Sequence, residues 1–239
     1  MKFLYIFPHP DDESFGPAAI MHAQLRAGHE VHLLTLTKGG ATRQRYRLGL
    51  SVEEMGELRY REMLAVQDVL RLSSMTVLDY PDSGLKDMDP RVLEAVVEKH
   101  IHSLQPDILV TYAVHGISGF HDHLVTHAVV KRVYLELRDA MNAAPRRLAL
   151  LTLPDSGEPT FEHGRIRLRH STPEEIDCII ALTDEDVHAM ITALACYETY
   201  QDTIQASGVI EKVGDRLYFE LFDEAFEPPL HSLEEQLLA

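Results

Sequence analysis

Hydrophobic and polar positions switch repeatedly between two periods along the first two thirds of the chain, and the switching predicts alternating strands and helices. Lys2–Phe7 is an almost unbroken apolar run of strand length. Apolar positions at helical spacing follow over Phe15–Ala27, with Gly28 placed to stop the helix. Glu30–Leu36 reads as a second strand, and Lys38–Gly49 as a loop rich in Gly, Arg and Gln. Ser51 followed by Glu54 is a capping-box pattern that opens a helix to about Leu70. Met75–Asp79 is a third strand, ended by the turn Pro81–Gly84. Asp89-Pro90 supplies an N-cap and an N1 proline for a helix to about Leu104. Asp107–Ala113, His123–Ala140 and Arg147–Leu153 then read as strand, helix and strand.

This order predicts an α/β fold, a Rossmann-like three-layer α/β/α sandwich with a mostly parallel sheet. Beyond Pro154 the pattern changes. Strand-like pieces at Ile166–His170, Ile176–Leu182 and Arg216–Phe222 flank one helix from Thr183 to about Tyr200. The expectation is a single domain over residues 1–239, with a core at 1–153 and a C-terminal extension at 154–239 packed on it. No G-x-G-x-x-G follows the first strand, so a dinucleotide site fails at its usual position.

Charge narrows the partners. The chain of 239 residues has 38 acidic and 22 basic side chains, a formal net charge of -16, which argues against nucleic acid and anionic membrane surfaces. Cys178 and Cys196 lie in apolar segments far from any metal-like spacing and read as reduced core thiols. No signal-peptide pattern and no apolar run near the ~20 residues of a membrane span are present, so the expectation is a soluble, cytoplasmic protein. Homo-oligomerisation is left open. The 14 histidines change the picture most, because several cluster with aspartates.

Two such clusters stand directly behind strands. Pro8-His9-Pro10-Asp11-Asp12-Glu13 follows the first, and Tyr112 to His123 (YAVHGISGFHDH) follows the fourth. Ligands of open parallel sheets bind at the strands' carboxyl ends, so both clusters are expected on that side. In a purely structural reading, Asp11 or Asp12 caps the next helix. That accounts for one aspartate but not for His9 and a second His/Asp cluster. A phosphoacceptor site could use Asp79, but no Lys closes the fifth strand and the histidines would go unused. A mononuclear zinc hydrolase uses them: His9 and Asp12, three apart on a turn, can reach one ion, and His123 completes a three-ligand set. Asp11 is then left beside the metal as general base. Ferrous iron or another divalent ion would satisfy the same donors.

The string Pro8–Glu13 and the later His121-Asp122-His123 resemble the motifs of the LmbE/PIG-L family of zinc-dependent de-N-acetylases, over about residues 2–140. The resemblance implies zinc on His9, Asp12 and His123, with Asp11 as base. Arg59-Tyr-Arg-Glu62 is similar to the family's Arg-x-x-Glu helix, whose Arg faces substrate, and Tyr80–Gly84 is similar to a turn whose Asp, here Asp82, binds substrate. Where the family has Gly-His-Pro-Asp-His, this chain has Gly119-Phe120-His121-Asp122-His123. His121 is the candidate for the non-ligand histidine that serves the oxyanion or the departing amine, with His115 in reserve. Asp122 is expected to orient a neighbouring histidine, and His127 to be a surface or supporting residue. The implied substrate is a small molecule containing N-acetylglucosamine, the malate conjugate of bacillithiol biosynthesis being the leading choice. An amidase acting on thiol-cofactor conjugates and a metal-binding, non-catalytic member are the alternatives.

Overall fold

The computed structural model describes residues 1–139, 145–155 and 168–237. Its strands are β1 (Lys2–Phe7), β2 (Glu30–Thr37), β3 (Ser74–Tyr80), β4 (Ile108–Tyr112), β5 (Arg147–Thr152), β6 (Cys178–Ala181) and β7 (Arg216–Leu221). They form one seven-stranded sheet in the order β3-β2-β1-β4-β5-β7-β6. Along β4 and β5 every residue is buried, so neither face of these strands is left to water, as the near-continuous apolar runs predict. The helices are α1 (Pro17–Arg26), α2 (Gln44–Leu48), α3 (Val52–Leu70), α4 (Pro90–Leu104), α5 (His121–Asp139), α6 (Asp184–Ala195), α7 (Gln201–Ser207) and α8 (Val209–Val213).

The chain divides into two compact units. One comprises Met1–Ile6, Lys86–Ala181 and Arg216–Ala239. Within it β1 pairs parallel with β4, Phe3 opposite Ile108, and β4 pairs parallel with β5. The later strand β7 joins antiparallel to β5 and β6. Arg147 is 1% exposed and grips Glu224 with two bonds of 2.8 and 2.7 Å, a fork-to-carboxylate contact that pins the segment after β7. The Asp89 carboxylate accepts from Arg91 N and Pro90 stands at N1, so α4 begins where the sequence predicts.

The other unit comprises Phe7–Leu85 and Leu182–Asp215. Here β2 and β3 pair parallel. The capping box of α3 is complete: Glu54 N donates to Ser51 Oγ at 3.1 Å and Ser51 N donates to Glu54 Oε2 at 2.8 Å. Helices α1 and α6 meet through Asp186, which takes His22 at 2.8 Å and Arg26 at 3.1 Å.

Three expectations shift. The 38–49 loop contains the short helix α2, closed by Gly49 at φ 68. The helix expected to reach Tyr200 ends at Ala195, and Tyr197, whose hydroxyl bonds the buried Glu13, already stands outside helical geometry; α7 and α8 follow around Gly208. Of the strand expected at Ile166–His170, residues 166–167 lie outside the described residues and 168–170 form no strand. Both cysteines are free; Cys178 is buried and Cys196 half-buried.

Candidate active site

The chain leaves β1 into a turn held by β2. Thr37 donates both N–H, at 3.0 Å, and hydroxyl, at 2.9 Å, to the Pro8 carbonyl. The turn closes as Ser14 N–H donates to Asp11 O at 2.7 Å. It forces Asp11 to φ 89, a region that non-glycine residues rarely enter and that costs on the order of 1–3 kcal/mol.

The strain separates two adjacent carboxylates. Asp12 turns back to accept the His9 N–H at 2.9 Å, with its Oδ2 3.5 Å from His9 Nδ1. Asp11 points instead at Arg59, whose Nη2 donates to Asp11 Oδ2 at 2.6 Å. Burial pushes the Asp11 carboxyl up to about 6 against the opposing pull of Arg59. The neighbouring Glu13 is pushed to about 7 by burial, while Ser14 and Tyr197 donate to its Oε1, each at 2.6 Å.

Arg59 itself is 2% exposed. It also donates to Pro10 O at 2.6 Å and Gly39 O at 3.1 Å, and its guanidinium lies 4.1 Å from the Tyr200 ring centre. A Cβ on Gly39, at φ 63, would stand 2.4 Å from Arg59 Nη1, so only glycine allows this approach. Asp82 accepts the Ala41 N–H at 2.7 Å and lies 3.3 Å from His9 Nε2. Burial works to raise the Asp82 carboxyl, but His9, the Ala41 N–H and the Arg59 charge together hold it below its ordinary value.

Residues 197–203 complete this half, and the sequence reading missed them. Tyr197 bonds Glu13, and Thr199 gives its N–H at 2.7 Å and its hydroxyl at 2.9 Å to Glu62. Tyr200 lies under Arg59 and bonds Thr42. The available signal was Tyr197-Glu198-Thr199-Tyr200, two aromatics and a Thr directly behind an amphipathic helix.

In the other unit, the segment after β4 builds a holder for His123. The Gly116 carbonyl can only accept, so His123 Nδ1, at 3.0 Å, carries the proton and Nε2 keeps its lone pair. Tyr112 stacks on the imidazole with centroids 4.4 Å apart and planes 8° off parallel. Gly116, at φ 62, is required here because a Cβ would come within 2.8 Å of His123 Cβ. His127 Nδ1 donates to Tyr112 O at 2.8 Å, which makes it a buried supporting residue. His115 accepts the Ile117 N–H on Nδ1 at 3.0 Å, so its Nε2 proton faces Thr152 at 3.2 Å and Ser171 at 3.3 Å. Phe120 is half-exposed with its ring edge-on to His123, 5.6 Å between centroids. His121 is exposed at the start of α5, and Asp122 is buried.

Within one unit, His9 and Asp12 set an imidazole and a carboxylate side by side on one turn, and within the other, His123 presents an imidazole held in one orientation. Imidazole and carboxylate donors of this kind suit zinc, which in catalytic sites takes three such protein ligands and keeps one position open. The Nδ1–H contact of His123 with a carbonyl is the outer contact that a ligating histidine commonly makes.

The family model for PIG-L, GlcNAc-PI de-N-acetylase, matches residues 4–134. A Kineococcus radiotolerans protein named 1D-myo-inositol 2-acetamido-2-deoxy-alpha-D-glucopyranoside deacetylase is 29% identical over 171 residues, 60% of this chain and 47% of that protein. A Bacillus anthracis protein named "Probable N-acetyl-alpha-D-glucosaminyl L-malate deacetylase 2" is 26% identical over 163 residues, 66% of this chain and 63% of that one. This chain thus spans less than two thirds of the length of these relatives. A crystal structure of a deacetylase from teicoplanin biosynthesis superposes with a TM-score of 0.70 at 16% identity, covering 94% of this chain and all of the other, which is a likeness of fold. With the family model covering more than half of its length, the chain belongs to the PIG-L (GlcNAc-PI de-N-acetylase) family.

Proposed function

We propose that the protein is a metal-dependent N-deacetylase that removes the acetyl group from a small molecule containing N-acetylglucosamine. The observation that carries this reading is the division of labour between Asp11 and Asp12. Adjacent in sequence, one lies beside His9 and the other is turned to a buried arginine. His9, Asp12 and His123 would hold the metal, zinc by preference or ferrous iron. When bound, such an ion lowers the pKa of water towards ~7 and polarises the substrate carbonyl.

The chain's own residues supply the rest. Asp11 receives the proton of the attacking water on Oδ1, since Oδ2 is held by Arg59. Burial makes this carboxyl a better proton acceptor than an ordinary aspartate, while Arg59 and a bound cation would pull the other way and keep it ionised until the proton arrives. The Gly116 carbonyl and the Tyr112 ring keep His123 in one tautomer and one orientation. Asp82 accepts sugar hydroxyls, and His121 assists the developing charge or the departing amine, with Asp122 orienting a neighbouring histidine. Relatives bearing inositol- and malate-conjugate names support a glucosamine with a variable aglycone, and the malate conjugate stays the first choice.

The experiment is acetate release from N-acetylglucosamine conjugates by protein stripped of metal and then reloaded with zinc. Activity should vanish on stripping and return on loading. Asp11→Ala should keep the metal and lose turnover, whereas His9→Ala should lose the metal. Full activity in Asp11→Ala would refute the general-base role. Stoichiometric zinc with no hydrolysis of any N-acetyl sugar would favour a binding protein.

A further inference from the structure

We propose that the segment carrying Arg43, Arg45 and Arg47 is a subsite for an anionic group, a carboxylate or phosphate, on the substrate's aglycone. The proposal rests on the deacetylase reading and specifies its substrate class. Three guanidinium groups fall within five residues of a chain whose net charge is -16. In such a chain a cation readily meets a carboxylate, and Lys38, Arg59 and Arg147 each do so. Among the described residues, none of the three arginines makes an ion pair. Arg43 and Arg47 are exposed. Arg45 lies 4.0 Å from the Tyr46 ring centre and donates to the Tyr46 hydroxyl at 2.6 Å, and its buried Nε has no partner. The Glu53 carboxylate feels the Arg45 charge only weakly, after two hydrogen bonds and burial. Arg47 already serves Gln44 at 3.1 Å and Thr199 O at 3.4 Å, so Arg43 and Arg45 have the most donors to give.

Position ties these donors to the chemistry within the same unit. Ala41 N–H bonds Asp82, which lies against His9. Gln44 Nε2 bonds Thr203 at 3.0 Å, and Thr42 bonds Tyr200, the residue under Arg59. Arg59, the arginine that the family resemblance points at substrate, has both Nη groups committed to Gly39, Pro10 and Asp11. An anion arriving at this half of the site therefore finds its available guanidinium groups on residues 43–47. Their planar forks match carboxylate and phosphate oxygens. Tyr46, 68% exposed, offers a flat face next to them.

The test compares the zinc-loaded full chain on three substrates: methyl N-acetyl-α-D-glucosaminide, the same sugar carrying an L-malyl aglycone, and N-acetylglucosamine 1-phosphate. The kcat/KM ratio of anionic over neutral substrate should be about 10- to 100-fold, the worth of one or two charge-assisted hydrogen bonds. It should shrink with added salt and collapse towards one in R43A/R45A. Whichever anion is preferred identifies the group as carboxylate or phosphate. R43E alone, at an exposed side chain with no bond to lose, should bring the ratio below one. A ratio near one in the wild-type protein, or a preference unchanged in both variants, overturns the proposal. Should no sugar be hydrolysed, the deacetylase reading fails, and calorimetric titration with L-malate and inorganic phosphate decides the subsite alone. Binding weakened in R43A/R45A supports it, and equal or absent binding overturns it.

Discussion

Arg59 Nη2 stands 2.6 Å from Asp11 Oδ2, and the pair is 3% and 15% exposed at its side chains. A charge pair so far out of water holds both partners in place, because neither has solvent to turn to. The arginine that the sequence motif assigns to substrate is thereby positioned to fix the orientation of the proposed base.

Arg59→Ala should therefore act on kcat more than on KM. It frees Asp11 at a strained backbone position and leaves a buried carboxylate unpaired, at about 3–5 kcal/mol of stability. Turnover should fall on the order of 100-fold with KM nearly unchanged, and Arg59→Lys should recover part of it by keeping the charge. Steady-state kinetics and urea unfolding of the two variants read both effects. A raised KM at unchanged kcat would return Arg59 to the role of substrate contact.

Gly40 gives a sharper packing test. A Cβ there would come within 2.1 Å of the Val52 carbonyl oxygen at the start of α3. Backbone meeting backbone leaves no side chain to move aside, so Gly40→Ala should cost at least ~1–3 kcal/mol. Gly49, at φ 68 with open space around it, is the control: Gly49→Ala should cost only the left-handed penalty of about 1–2 kcal/mol. Urea midpoints of the two variants measure the difference.

Much of this was legible beforehand because it is local. The capping box at Ser51, the Asp89-Pro90 helix start and the five core strands depend on neighbouring residues, and the sequence carries those directly. The His9–Glu13 string was legible for the same reason, as its donors share one turn. What escaped was non-local. Nothing near Tyr197 says that it will bond a glutamate 184 positions away, beyond the end of a helix that the sequence pattern runs on to Tyr200. The environment of Arg59 was hidden likewise, since Gly39, Pro10, Asp11 and Tyr200 come together only in the fold.

Glu62 ties that distant stretch down. It accepts two bonds from Thr199, one from backbone and one from hydroxyl, and burial raises its carboxyl against them. Glu62→Ala leaves a buried N–H without a partner and should cost about 1–3 kcal/mol. Glu62→Gln keeps one accepting oxygen and should cost less. Hydrogen exchange at the Thr199 amide should rise steeply in the first variant and modestly in the second. Equal protection in all three proteins would mean that residues 197–203 are held by Tyr197 and Tyr200 alone.

His115 supplies a pH dependence with a definite sign. Burial, followed by the charge of His170, lowers its pKa from 6.5 to about 4. The Ile117 N–H donated to Nδ1 agrees, because a protonated ring could not accept it. The folded state then holds His115 neutral where the unfolded chain would protonate it. Between about pH 6.5 and 4 the unfolded state binds more protons, so this contribution to stability is full above 6.5 and lost as pH falls towards 4. Glu220, whose carboxyl burial raises, acts in the opposite direction at the acid end, so the contribution of His115 is read as a difference. His115→Gln should show a shallower fall of urea midpoint between pH 7 and 5 than the parent protein. Coinciding slopes would mean that His115 titrates normally in the folded protein and that the Ile117 N–H finds another acceptor.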